Sequence, residues 1–111
     1  MYVRIYWGKI HPGSWPALEK TYEELMALST PGLLGRLVTQ DVADAESVFT
    51  ITLWKDLESV RRWEASPEYS DLYLAAVAPH IIGSRSVSLC DVKVANLAGL
   101  LAVARAQGAQ P

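Results

Sequence analysis

Residues 48–73 read VFTITLWKDLESVRRWEASPEYSDLY, and the way this stretch divides decides the fold. Val48 to Trp54 is rich in β-branched and aromatic residues, which suit a half-buried pleated surface, so a strand is predicted there. Phe49, Ile51 and Leu53 fall on one face; Thr50, Thr52 and Trp54 fall on the other. Asp56 follows as a helix cap, because its carboxylate accepts the free amide hydrogens of a first turn. Glu58 lies in that turn, where the helix dipole favours negative charge. Leu57, Val60 and Trp63 share a three-residue step along the predicted helix. Ser66-Pro67 breaks it and starts a second segment, with Ser66 as cap and Pro67 pre-set at the first position. There Tyr69, Leu72, Tyr73, Ala76 and Val77 recur at i, i+3, i+4, i+7 and i+8, the stripe of an amphipathic helix.

Upstream, Leu33 to Gln40 reads as a strand, joined to residue 48 by the polar run Asp41 to Glu46. Pro31-Gly32 ends a helix predicted from Trp15 to Leu28 on the recurrence of Leu18, Tyr22, Leu25 and Met26. Glu19, Lys20, Glu23 and Glu24 lie largely off that stripe, as a solvated face. His11-Pro12-Gly13-Ser14 is a turn. Tyr2 to Lys9 is a strand whose two faces both carry large apolar bodies. Downstream, Ala78-Pro79-His80 closes the second helical segment. Ile81 to Val94 is the last strand, with Gly83 a candidate bulge. The order is strand, helix, strand, strand, helices, strand. Two βαβ halves of this kind give an α+β fold, a ferredoxin-like four-stranded antiparallel sheet with helices on one face. The bare face would carry Trp7 or Tyr6, depending on register, and an apolar sheet face of that kind favours a homodimer. We read residues 1–95 as the domain. Residues 96–111, Ala/Leu-rich and nearly uncharged, form a tail that is either a short helix or a segment ordered against a partner.

With 111 residues, half of them hydrophobic and a fifth charged, the chain has the size and composition of one globular domain. A net charge of −2 with both signs scattered leaves no basic footprint for nucleic acid. No apolar run reaches the roughly twenty residues of a membrane span. The N-terminus reads as strand rather than signal peptide, and the single cysteine, Cys90, fits a reducing cytoplasm. Two histidines and one cysteine, far apart, supply no metal set, and no Gly-rich phosphate loop is present.

Several features together resemble the antibiotic biosynthesis monooxygenase domain family, the small dimeric α+β barrels. They are Pro12-Gly13, Pro31-Gly32-Leu33-Leu34-Gly35, the strand ending in Trp54, Glu58-Ser59, and Trp63-x-x-Ser66-Pro67-x-Tyr69. The resemblance implies the dimeric barrel fold and leaves the chemistry open, since one fold hosts many functions. In the haem-degrading branch a Trp is joined by an Asn and an iron-ligating His. Trp63 matches the Trp, but Tyr6 stands at the Asn position and Tyr73 at the His position, so no haem enzyme is expected. The quinone-forming branch has a Trp and a following Tyr, matched here by Trp63 and Tyr69, and an Asn that Ser59 replaces. This likeness implies a monooxygenase acting on a small hydroxyaromatic or polyketide-like substrate with molecular oxygen and no cofactor.

The chemistry can also be argued from the residues. A phenol attacks oxygen as an electron-rich phenolate, which needs a cation or hydrogen-bond donors nearby. Arg85 offers a permanently charged donor fork, and strand alternation sets it with Val87 and Leu89, away from Ser84, Ser86 and Ser88. Trp63 and Tyr69, which the resemblance implies, and Arg85, if the bulky face of its strand meets the helices, are the candidate catalytic residues of a pocket between sheet and helices. Tyr6, Ser59, Tyr73 and His80 are candidates for binding the substrate. Each also has a plainer reading: the aromatic residues as core, Arg85 as a surface ion-pair partner, His80 as a surface residue. Two other functions stay open on the same fold. One is a non-catalytic dimer that binds a small molecule or serves as an interaction module. The other is an isomerase or lyase with His80 or a carboxylate as base.

Overall fold

A computed structural model describes residues 1–106. Four strands form one antiparallel sheet: β1 (Tyr2–Ile10), β2 (Leu33–Gln40), β3 (Ser47–Trp54) and β4 (Ile81–Asp91), in the order β2-β3-β1-β4. This is the expected ferredoxin-like sheet, with α1 (Trp15–Leu25) crossing from β1 to β2 and α2 (Leu57–Glu64) following β3. After α2 comes a π-helix over Glu68–Leu74, then α3 (Ala75–Val77) and a 3₁₀ turn, Ala78–His80. A last helix, α4 (Ala98–Ala106), lies in the segment read as a tail; residues 107–111 of that segment are outside the described residues. Among the described residues no helix is long and apolar enough to cross a membrane.

The register fixes which side chains meet the helices. Tyr6 pairs with Thr50 and Val87, and Arg4 with Thr52 and Leu89, so these residues share one face. That face is the buried one: Val48, Thr50, Thr52 and Trp54 are covered, whereas Phe49, Ile51 and Leu53 are only half-buried. The more apolar set of β3 therefore points away from the helices. Trp7, opposite Phe49, shares that open face, and Tyr6 lies beneath the helices. The core is built from Ile10, Leu18, Tyr22, Val48, Trp54, Val60, Trp63, Tyr73 and Val77, with Leu25 at its edge.

Three boundaries differ from expectation, each for a local reason. β4 ends at Asp91 rather than Val94 because its partner runs out: Tyr2 pairs with Asp91, and Val92 N–H donates to the Met1 carbonyl. α1 ends at Leu25 rather than Leu28. The chain then turns more tightly, with Leu28 N–H donating to the Leu25 carbonyl, and Pro31 disfavours helical geometry at Thr30. The segment from Glu68 to Leu74 is a π-helix rather than an α-helix. Its wider turn keeps Tyr69 and Tyr73 on the inner side but rotates Leu72 outward, to 50 % exposure. The bulge expected at Gly83 is present: Gly83 has φ +68° and the register with β1 shifts between Gly8 and Lys9.

Candidate functional site

The site is built on one rung of the sheet. Arg4, Thr52 and Arg36 are direct neighbours across β1, β3 and β2, all facing the helices. Above them sits an aromatic layer supplied by three elements. Trp63 comes from α2, Tyr69 and Tyr73 from the π-helix, and Tyr22 from α1. Ring centroids lie 5.3 Å apart for Trp63–Tyr69, 5.8 Å for Trp63–Tyr73 and 5.7 Å for Tyr22–Tyr73. These separations are in the range where aromatic pairs attract beyond simple burial. Trp63 also rests on Trp54, at 6.4 Å.

Local sequence explains the placement. Asp56 accepts a hydrogen bond from Ser59 N–H at 2.8 Å and opens α2, which lays Ser59, Val60 and Trp63 inward. Ser66 Oγ donates to the Trp63 carbonyl at 2.7 Å and accepts from Tyr69 N–H at 3.2 Å. It thus joins the end of α2 to the start of the π-helix and fixes the Trp63–Tyr69 spacing.

The two arginines of the rung have opposite environments. Arg4, 7 % exposed, is fully engaged. Its Nε meets Glu64 at 3.0 Å, its Nη2 donates to the Tyr69 hydroxyl at 2.9 Å, and its guanidinium carbon lies 5.1 Å from the Tyr69 ring centre. Arg36 lies 5.5 Å from the ring centres of both Trp63 and Tyr73. Its Nε and Nη2 are shut off from solvent and have no hydrogen-bond partner among the described residues. Burial pulls the Arg36 pKa below its ordinary value. Burial also pushes Tyr73 far above the ordinary tyrosine value, with Tyr22 adding to the shift, so Tyr73 is a neutral phenol. The Tyr22 hydroxyl is bonded to Thr50 Oγ1 at 3.0 Å.

A cavity of ≈ 260 Å³ opens beside this layer. Trp63 and Ser59 line it with Ser29, Thr30, Ser66 and two charged residues, Arg62 and Glu68. Thr30 Oγ1 is buried and has no partner among the described residues. Gly32 makes room for the Ser59 wall: at φ +82° it sits so close that a Cβ would fall 2.0 Å from Ser59 Oγ.

The structure brings Trp63, Tyr69, Tyr73 and Ser59 together, with Trp63 and Ser59 at the cavity and the two tyrosines behind Trp63. Arg85 is elsewhere. It is exposed on the edge strand β4, opposite Gly8, where its nearest tyrosine is Tyr6. Arg85 favours the Tyr6 phenolate, but burial outweighs it and raises the Tyr6 pKa. The Tyr6 hydroxyl itself is buried without a partner among the described residues. His80 precedes Ile81, which pairs with Ile10, whereas Trp63 stacks on Trp54, which pairs with Tyr2. His80 thus lies toward the far end of β1 from Trp63, and it is not among the residues that line the cavity.

Arg4, Arg36 and Thr30 escaped the sequence reading. The available signal was phase: Arg4 alternates with Tyr2 and Tyr6, so whichever face buries those tyrosines also buries a guanidinium.

Comparison with known proteins agrees with this fold. A family model described as antibiotic biosynthesis monooxygenase matches residues 1–73. No curated protein matches. Among solved structures, one described as an antibiotic biosynthesis monooxygenase superposes with a TM-score of 0.69 at 22% identity, covering 85% of this chain and 100% of its own. A provisionally assigned antibiotic biosynthesis monooxygenase from Chloroflexus aurantiacus J-10-fl gives 0.63 at 25% identity, covering 85% and 96%. A variant of SnoaB, a cofactor-independent oxygenase from Streptomyces nogalater, gives 0.69 at 18% identity, covering 85% and 94%.

Proposed function

The chain belongs to the antibiotic biosynthesis monooxygenase family, and from that premise we propose that it is a cofactor-independent monooxygenase which oxidises a small hydroxyaromatic substrate with molecular oxygen beside Trp63. The observation that carries the reading is the ≈ 260 Å³ cavity lined by Trp63, by serine and threonine residues, and by the charged pair Arg62 and Glu68. An aromatic wall with a few convergent polar groups suits a small planar phenol. The likeness to SnoaB supports the oxygen chemistry.

The reaction balances without an added reductant. A phenol and one O₂ give a quinone and one water; the substrate supplies all four electrons. Deprotonation of the phenol comes first, then electron transfer to oxygen, recombination at a ring carbon, and loss of water from the hydroperoxide. The chain's part is to orient the ring, stabilise the phenolate and keep bulk water out. Trp63 supplies the stacking wall. Arg62 supplies a donor at the cavity, beside the buried Thr30 hydroxyl, which has no partner among the described residues. Tyr69, held by Arg4, packs against Trp63.

The reading is tested by oxygen uptake with a panel of hydroxynaphthalenes. One O₂ should disappear per quinone formed. Trp63→Phe and Tyr69→Phe should lower the rate while leaving the circular dichroism spectrum unchanged. If the wild type consumes no oxygen with any member of the panel, the second reading holds, a dimer that binds a small molecule without reaction. The observation favouring that reading is the exposure of Arg85 on the edge strand, away from the cavity lining. The protein is proposed to act as a homodimer through the open sheet face. The exposed free thiol of Cys90 supports a reducing, cytoplasmic setting.

A further inference from the structure

We propose that Arg36 is a carboxylate-reading residue, and that the ligand of this site is an aromatic acid rather than a neutral phenol. The inference deepens the proposed function and rests on its placement of the ligand beside Trp63. Three observations carry it. The first is which atoms of Arg36 are free. Nε and Nη2 carry the two N–H bonds that point the same way from the guanidinium plane, the edge that receives both oxygens of a carboxylate in parallel. Both are buried and both lack a partner among the described residues. The second is the absence of a counter-ion: among the described residues no carboxylate lies in salt-bridge range of Arg36, whereas Arg4 on the same rung has Glu64. The third is position. The guanidinium carbon and the rings of Trp63 and Tyr73 form a nearly equilateral triangle, with sides of 5.5, 5.5 and 5.8 Å. The same Trp63 ring lines the cavity.

A buried guanidinium held only by ring faces has its charge partly compensated and its directional donors unused. A carboxylate satisfies both donors and the charge in one contact. A neutral hydroxyl meets at most one donor. Because the free edge is closed to solvent, the carboxylate reaches it when the Trp63 indole turns aside, so binding alters tryptophan emission. The aromatic body of the ligand then occupies the cavity, with its acid group against Arg36.

The test is calorimetric titration under argon, so that binding is measured without turnover. The probes are 1-hydroxy-2-naphthoate, its methyl ester and inorganic phosphate. On the wild type the acid should bind at least about tenfold more tightly than the ester, as two charge-assisted hydrogen bonds imply, and phosphate should bind no better than the ester. Arg36→Gln should bring the acid down to the ester's affinity and leave the ester unchanged. Arg36→Lys keeps the charge without the fork and should lose most of the preference too, which keeps the test decisive if the Gln variant folds poorly. Arg61→Gln, at an exposed arginine outside the cavity lining, should leave the preference in place. Equal binding of acid and ester overturns the inference, as does phosphate matching the acid, a preference that survives both Arg36 variants, or one that disappears with Arg61→Gln. Oxygen uptake is scored separately. Acid preference without oxygen uptake upholds the Arg36 assignment and removes the oxidation chemistry; oxidation without acid preference does the reverse.

Discussion

Arg4 and Arg36 occupy the same rung of the sheet, yet they should respond oppositely to truncation. Arg4 joins Glu64 to the Tyr69 hydroxyl, and Arg4→Met breaks both links. Glu64 stays partly exposed and can be rehydrated, so the loss should be moderate, about 1–3 kcal/mol in chemical denaturation. Arg36 carries a half-buried charge with no carboxylate partner among the described residues, and its partial desolvation opposes folding. Its two ring contacts return roughly 1–2 kcal/mol each. Arg36→Met in the ligand-free protein should therefore melt no lower than the wild type. A calorimetric drop comparable to that of Arg4→Met would show that the guanidinium is there for stability. Tyr73 gives a pH signature. Its folded pKa lies above the unfolded value of 10.0 because burial disfavours the phenolate. Above pH 10 the unfolded chain loses a proton that the native state keeps, so stability is intact below that pH and falls as pH rises past it. Tyr73→Phe should flatten the alkaline fall in melting temperature relative to the wild type. Helix periodicity made Trp63, Tyr69 and Tyr73 visible by naming an inner face, and Ser59 entered only through the family resemblance. The arginines stayed hidden because strand alternation defines two faces without saying which is covered, and here the more apolar set of β3 is the open one.

At the scale of elements, the order and the strand pairing were readable from turn residues and from β-branched runs, but the π-helix was not. Tyr69 to Val77 carries an unbroken α-helical stripe, and only packing shows that the chain widens its turn to stack Tyr69 and Tyr73 behind Trp63. The energetic gain is visible in the rings, which contact one another at 6.1 Å and Trp63 at 5.3 and 5.8 Å. What is given up is Leu72, left half-exposed. The turn into β2 is equally demanding. Gly32 combines φ +82° with an approach to Ser59 that leaves no room for a methyl group, and its carbonyl accepts Lys55 N–H at 2.9 Å. Gly32→Ala must strain the backbone and push the start of α2 outward together. We expect a loss of about 2 kcal/mol or more, read as a lower denaturation midpoint. Ligand affinity should fall as well, because Ser59 is part of the cavity wall. Unchanged stability would mean that α2 is free to shift, and the cavity would then be less pre-formed than the distances imply.

The open face of the sheet sets the largest-scale expectation. Val3, Ile5, Trp7, Phe49, Ile51 and Leu53 are in phase across β1 and β3, all half-buried and none covered by a helix. Leu37 of β2 extends the patch at 49 % exposure. A face this apolar, spanning the two central strands and one edge, calls for a partner sheet. A second copy supplies the same surface by two-fold symmetry. An obligate interface of this type buries upward of about 2,000 Å², so the protein should sediment as a stable dimer at micromolar concentration. Trp7→Lys and Ile51→Lys place charges at the centre of the face without touching the helix-side core, and each should yield monomer. The competing occupant is the chain's own C-terminal segment, whose α4 exposes Leu100, Leu101 and Val103. The two are separable. Removal of residues 96–111 leaves the unit we propose folds alone, residues 1–95, and should leave the dimer intact. If that truncation instead produces monomers while the Lys variants remain dimeric, the C-terminal helix makes the interface and the sheet face is covered in some other way.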